Sequence, residues 1–220
     1  SFNSYAGINA FANQDEKVKI EPELTVADNK LKPKISFNSR QNLGSKDTFS
    51  VAFDFSANSG IDVGRFDDPI TSSEDIISQY VADGGNMEFN LSFSYKNGDF
   101  FVGIGPYYSL LTTDALSTEE NSSSIISVDA EIYGLNIMTM YKFNKSIGVY
   151  LQYSTYDTTG EGKNADFSKI LDDGNAVRLG VEIPTSSDPN AYVLRFERTK
   201  HSEVDKAIFR VSISKPFNFF

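Results

Sequence analysis

The sequence predicts an all-β fold, a transmembrane antiparallel up-and-down β-barrel of about twelve strands, with ten as the alternative count. Three observations predict it. Apolar and polar residues alternate with a period of two in segments about ten residues long, the pattern of strands with one greasy and one wet face. Short turns and long polar connections succeed one another along the chain. No stretch approaches the roughly 20 consecutive apolar residues that a spanning helix needs. Residues 1–220 read as a single outer-membrane barrel domain.

The elements follow in order. An N-terminal segment, Phe2 to Asn13, is a candidate strand. Val18, Ile20, Leu24 and Val26 then alternate with Lys19, Glu21, Glu23 and Thr25; after Asp28-Asn29 the chain returns with Leu31, Ile35 and Phe37 on one face, a hairpin. Pro22 and Pro33 fall almost opposite each other there, and because neither can donate to a ladder, irregularity is expected. Val51, Phe53 and Phe55 form the next apolar face. Reading Asn58-Ser59-Gly60 as a turn and Ile61 to Phe66 as a short strand gives twelve strands. With ten, either the N-terminal segment or the hairpin near Asp28 lies outside the wall. Phe89, Leu91, Phe93 and Tyr95 share a face, Asn97-Gly98 signals a tight hairpin, and Val102 and Ile104 lead the return. In the segment 126–143 the apolar parity changes near Ile132-Tyr133, which predicts a β-bulge.

The last four strands are the clearest, carrying Val149, Leu151 and Tyr153; Val177, Leu179, Val181 and Ile183; Tyr192, Leu194 and Phe196; and Phe209, Val211 and Ile213. A soluble sandwich shows the same alternation with its greasy face inward. Connection lengths separate the two. Short turns at Asn97-Gly98, Asn144-Lys145 and Ser186 to Asn190 alternate with long stretches at 67–85, 113–125 and 159–175, which places the long loops at one end, as in outer-membrane barrels.

Composition excludes several classes. A net charge of −10 and a pI near 4.6 exclude a nucleic-acid partner, which needs a basic footprint. The absence of Cys removes disulfides, thiolate metal sites and cysteine nucleophiles. With 18 Phe and 11 Tyr but no Trp, the aromatics suit girdles at two membrane interfaces. The chain opens at Ser1 on strand-like sequence, so any export signal is expected to have been removed. No cofactor is expected, and no metal site: Glu119-Glu120 and Asp172-Asp173 are acidic pairs in loops, where solvated charge is the simpler reading.

Part of the chain resembles the Gram-negative general-diffusion porins. Lys34-Ile35-Ser36-Phe37-Asn38-Ser39-Arg40-Gln41-Asn42-Leu43-Gly44-Ser45, followed by Thr48 to Phe55, is similar to a porin strand, its Leu-Gly turn and the next strand. Val63-Gly64-Arg65-Phe66-Asp67-Asp68-Pro69 resembles the strand leading into the loop that folds into the pore, and Pro216-Phe217-Asn218-Phe219-Phe220 resembles the terminal aromatic signal for barrel assembly. The family has sixteen strands, more than this chain can supply. A twelve-strand count would also put the Leu43-Gly44 turn on the outer side, opposite to the family, whereas ten strands remove that conflict. The resemblance implies the bacterial outer membrane, contact with membrane lipid and lipopolysaccharide, and a homotrimer.

If greasy faces meet lipid, the polar partners line the interior. Arg178, Arg195 and Arg210 lie on consecutive antiparallel strands with the same inward parity, and Arg40 has the inward parity of its own strand; Glu182 and Glu197 share the lining. By the resemblance, Asp67, Asp68, Glu74 and Asp75 belong to a constriction loop. A basic wall facing an acidic loop sets a transverse field across a narrow aqueous pore. The expected function is a porin-like channel, not an enzyme, for passive diffusion of small hydrophilic solutes or ions. Two alternatives stand beside it. One is a structural or adhesive barrel whose lumen is plugged by Tyr107, Tyr150 and the arginines, which would pair with Glu182 and Glu197 only to satisfy buried charge. The other is an outer-membrane enzyme built on His201, although His201 and Ser202, as neighbours on a strand, point to opposite faces.

Overall fold

The computed structural model describes residues 18–27, 30–43, 48–58, 87–116, 125–143, 147–161, 174–188, 191–202, 205 and 207–219. They form strands β1 (Val18–Ala27), β2 (Lys30–Asn42), β3 (Phe49–Asn58), β4 (Met87–Asn97), β5 (Phe100–Leu116), β6 (Ile125–Phe143), β7 (Ile147–Glu161), β8 (Gly174–Pro184), β9 (Val193–His201), β10 (Ile208–Ser214) and β11 (Phe217–Phe219). Each pairs antiparallel with its neighbour in sequence, and β1 also pairs with β10 and β11. The sheet is therefore a closed up-and-down barrel with no free edge.

β10 and β11 are two parts of one wall strand. Glu23 pairs with Ser214 and Ile20 with Phe217 in a single register, interrupted only opposite Glu21 and Pro22, where Pro216 also lacks a donor. One bond spans that gap, from Lys215 N–H to the Pro22 carbonyl at 3.1 Å. The wall thus has ten strands, the lower of the two counts. β3 pairs directly with β4, and β1 with the last strand; the strands expected at 61–66 and in the N-terminal segment lie outside the described residues. The irregularity expected across the first hairpin lies instead at this closing seam. Pro22 faces Ile35 and Pro33 faces Leu24 in an unbroken β1–β2 register.

Two further expectations change. No bulge occurs at Ile132-Tyr133, because β6 keeps one register with both β5 and β7; Ile132 is simply an apolar side chain that points inward, and Tyr133 points outward. The tight turn is Gly98-Asp99, bracketed by the Asn97–Phe100 pair, with Gly98 at φ 58°. The connections 43–48, 98–99, 144–146 and 185–192 share one end of the barrel with Val18 and Phe219, and 28–29, 59–86, 117–124, 162–173 and 202–207 share the other. Ten strands thus place the Leu43-Gly44 turn at the end that holds the tight turns.

The two faces of the wall are inverted relative to a water-soluble protein. Outward side chains are apolar and exposed: Leu24, Ile35, Phe53, Leu91, Ile104, Leu135, Leu151, Leu179 and Val211 among them, with Phe209 at 68 %. Aromatic residues mark the edges of this surface. Phe49 and Tyr95 touch at 5.1 Å and Tyr141 and Phe143 at 4.8 Å near the tight-turn end, while Phe55, Phe89 and Tyr108 form a row nearer the other end, at 5.0 and 6.5 Å. From Phe143 to Tyr133, at about 3.3 Å per residue and a tilt of about 40°, the apolar run of β6 rises roughly 25 Å, the height of a membrane-spanning band. Above it the outward residues turn polar, with Glu131 on β6 and Asp157 on β7 both exposed.

Candidate functional site

Period-two alternation that sends apolar side chains outward sends their neighbours inward. The described inward side chains include Glu23, Lys34, Arg40, Asp54, Glu88, Arg178, Glu182, Arg195, Glu197 and Arg210, all buried, and their formal charges balance. Ten strands about 4.8 Å apart and tilted by about 40° give a backbone ring roughly 20 Å across. Long side chains from opposite walls leave only a narrow space along the axis.

The charges meet mainly near the closing seam. Arg195 is 0 % exposed; its Nε donates to Glu182 Oε2 at 3.1 Å and its Nη1 to Glu23 Oε2 at 2.9 Å and Ser214 Oγ at 2.8 Å. Arg210 Nη2 donates to Glu23 Oε1 at 2.8 Å and Thr25 Oγ1 at 3.1 Å, and its Nε lies 3.8 Å from Glu197 Oε2. Arg178 Nε donates to Thr199 Oγ1 at 3.1 Å and stands 3.7 Å from Glu197 Oε1, which also accepts from the Tyr150 hydroxyl. β1, β8, β9 and β10 thus contribute to one continuous ionic cluster, extended to β7 by Tyr150. The Tyr150 ring reaches across because its neighbour on β8 is Gly180; a β-carbon there would lie 2.2 Å from the ring. A separate pair, Lys34–Glu88 at 3.1 Å, joins β2 to β4 across β3.

Burial makes these pairs interdependent. A carboxylate or guanidinium removed from water loses several kcal/mol of hydration, which a well-placed counter-charge and additional hydrogen bonds offset. Glu23 accepts from both Arg195 and Arg210, so the two cations share an anion. Across the barrel from the seam, on β3, β5, β6 and β7, the interior is less polar, with Ala52, Phe101, Met138, Met140 and Tyr150 forming a buried cluster. Farther from the tight turns, on β4, β6 and β7, lie neutral amides, with Asn136 donating to Asn90 at 3.2 Å and Gln152 donating to Asn136 at 3.2 Å.

Arg178, Arg195, Arg210, Glu182 and Glu197 are therefore brought together inside the barrel. Arg40 also points inward but lies apart from them, bonded to Asn42 at 3.0 Å. Asp67, Asp68, Glu74 and Asp75 lie outside the described residues, as do Glu119-Glu120 and Asp172-Asp173. Glu23, which ties the cluster together, was not among the expected site residues. Its inward parity on β1 was readable, but only ring closure shows that β1 stands beside β10. His201 is buried within the barrel, whereas the Ser202 hydroxyl accepts from the Asn175 amide at 3.1 Å, away from the imidazole. Among the described residues no group of three or more His, Cys, Asp or Glu could hold a metal ion.

No family model matches the chain, and no curated protein does. Solved structures similar to it include the KdgM porin, 12 % identical over 91 % of this chain and 99 % of that one with a TM-score of 0.37. The CymD monoaromatic hydrocarbon channel is 10 % identical over 99 % of this chain and 91 % of that one, with a TM-score of 0.44. The Pseudomonas putida toluene transporter TodX is 8 % identical over 100 % of this chain and 94 % of that one, with a TM-score of 0.40. At such identities and TM-scores the barrel assignment rests on this chain's own strand pairing.

Proposed function

We propose that the chain is a bacterial outer-membrane protein that forms a narrow, water-filled channel for passive diffusion of small hydrophilic solutes or ions, without catalysis. The observation that carries this reading is the inverted wall, apolar and exposed outside, polar and buried inside. Such a cylinder is stable where lipid covers its outer face, and its lining then offers charged groups to an aqueous path. The end holding the tight turns, Val18 and Phe219 would face the periplasm and the opposite end the outside, following the usual inequality of loop lengths in such barrels. The partial resemblance to general-diffusion porins agrees with this class.

Conductance across a planar bilayer tests the reading, followed by liposome swelling with sugars of graded size. Discrete current steps and a low size cutoff are expected. A second reading, a structural or adhesive barrel with a filled lumen, is favoured by the complete burial of the Arg195 cluster. Protein that inserts into vesicles, shows heat-modifiable gel migration and passes neither ions nor sugars would establish that second reading instead.

A further inference from the structure

We propose that Arg198 and Lys200, on the lipid-facing side of β9, bind the phosphorylated headgroup of a membrane lipid whose acyl chains lie on the apolar face below them. The inference rests on the membrane-barrel reading above. Residues two apart on a strand share a face, so both cations project from the same side of the wall as Phe196 and Leu194. Arg198 and Lys200 are exposed there, while Arg195 and Glu197 beside them point inward.

The surroundings define the ligand. Arg198 is in register with Leu179 on β8 and Phe209 on β10, and Lys200 with Val177 on β8, so the partners flanking the two cations are apolar. Below them run Val181, Phe196, Val211 and Ile213, a continuous greasy surface. The Lys200 ammonium also donates to the Asp205 carbonyl at 3.0 Å, which steadies it near the connection 202–207. A small soluble anion would use the two charges and leave the apolar surface unused. A phosphorylated amphiphile uses both: its phosphate meets Arg198 and Lys200 at the interface while its chains cover the face. On β6 and β7 the outward residues at the corresponding end are Glu131 and Asp157, so this preference belongs to one flank of the barrel.

The test uses the full chain in nonionic detergent, titrated with mixed micelles carrying a bis-phosphorylated glucosamine lipid, the same lipid without phosphates, or with inorganic phosphate alone. Saturable binding of the phosphorylated lipid only is expected. R198A/K200A should weaken it by about tenfold or more, and R198K should retain most of it. Lys215, 4.6 Å over the Tyr192 ring towards the tight-turn end, supplies the control: K215A should bind as the parent does. Equal binding by R198A/K200A, or equal binding of the dephosphorylated lipid, overturns the site while leaving the barrel intact. Saturation by inorganic phosphate alone shows a simple anion site and also overturns it. Heat-modifiable migration of each variant confirms folding; if the parent neither shows it nor enters vesicles, the membrane reading itself falls.

Discussion

Arg195 illustrates how much one side chain can hold together. Its guanidinium faces two carboxylates from different strands, Glu23 and Glu182, with no exposure to solvent. Arg195→Leu should cost roughly 3–5 kcal/mol by stranding Glu182 and leaving Glu23 to Arg210 alone, and adding Glu182→Gln should restore much of that loss. Urea titration followed by gel migration reads both variants, since the chain has no Trp to report by fluorescence. If the single variant proves as stable as the parent, the network is not what braces the seam. Gly105 is a second sensitive position. A β-carbon there would lie 1.7 Å from the Leu91 carbonyl oxygen, at a point where Pro106 already withholds a donor and the β4–β5 ladder skips two pairs. Gly105→Ala must push the strands apart and should destabilise by about 1–3 kcal/mol in the same assay. Periodicity does not mark Gly105, because close approach of another backbone leaves no trace in alternation.

At the scale of the strand, reading faces from alternation works wherever every second residue has the same character. β3, β4, β8, β9 and β10 meet that condition, and the apolar sets read from sequence lie on the outer face, exposed or half-buried, while most of their neighbours are buried. β6 does not, since Ile132 turns inward and so do Met138 and Met140, which pack beside Phe101. An apolar residue on the wet side looks like a slipped register, which is why a bulge was expected there. The lipid-facing assignment is directly testable on β6. Ile137→Arg should cost about 2–4 kcal/mol in a bilayer, because an ion on the outer face midway between Tyr133 and Phe143 must reach through hydrocarbon to water. Ser212→Ala, inside the barrel on β10, should change stability by less than about 1 kcal/mol. Refolding into lipid vesicles across a urea series gives both numbers, and equal costs would contradict the orientation of the faces.

For the whole molecule, closure decides what sequence periodicity could not. Two counts of strands were compatible with the same alternation, and the direct pairing of β3 with β4, together with that of Glu23 with Ser214 across the seam, selects ten. The same pairing brings Glu23 to Arg195 and Arg210, the part of the site that was not legible. The site's arginines were legible because they share parity on successive strands. The carboxylate that joins them from β1, Glu23, depends on contact between the first and last strands. Ion selectivity should report this balance. Arg210→Ala leaves Glu23 and Glu197 with less counter-charge, so the reversal potential in a salt gradient should move towards cation preference. An unchanged potential would mean that ions do not pass this cluster.

Unequal strand lengths have one more outcome. β5, β6 and β7 run for 17, 19 and 15 residues, against 11 and 9 for β8 and β9. The rim is therefore not level: one flank stands up as a parapet while the other stops near the headgroups. Anything arriving from that side must come in obliquely over the low flank, past the phosphates gathered at its foot, so the membrane surface itself becomes part of the doorway.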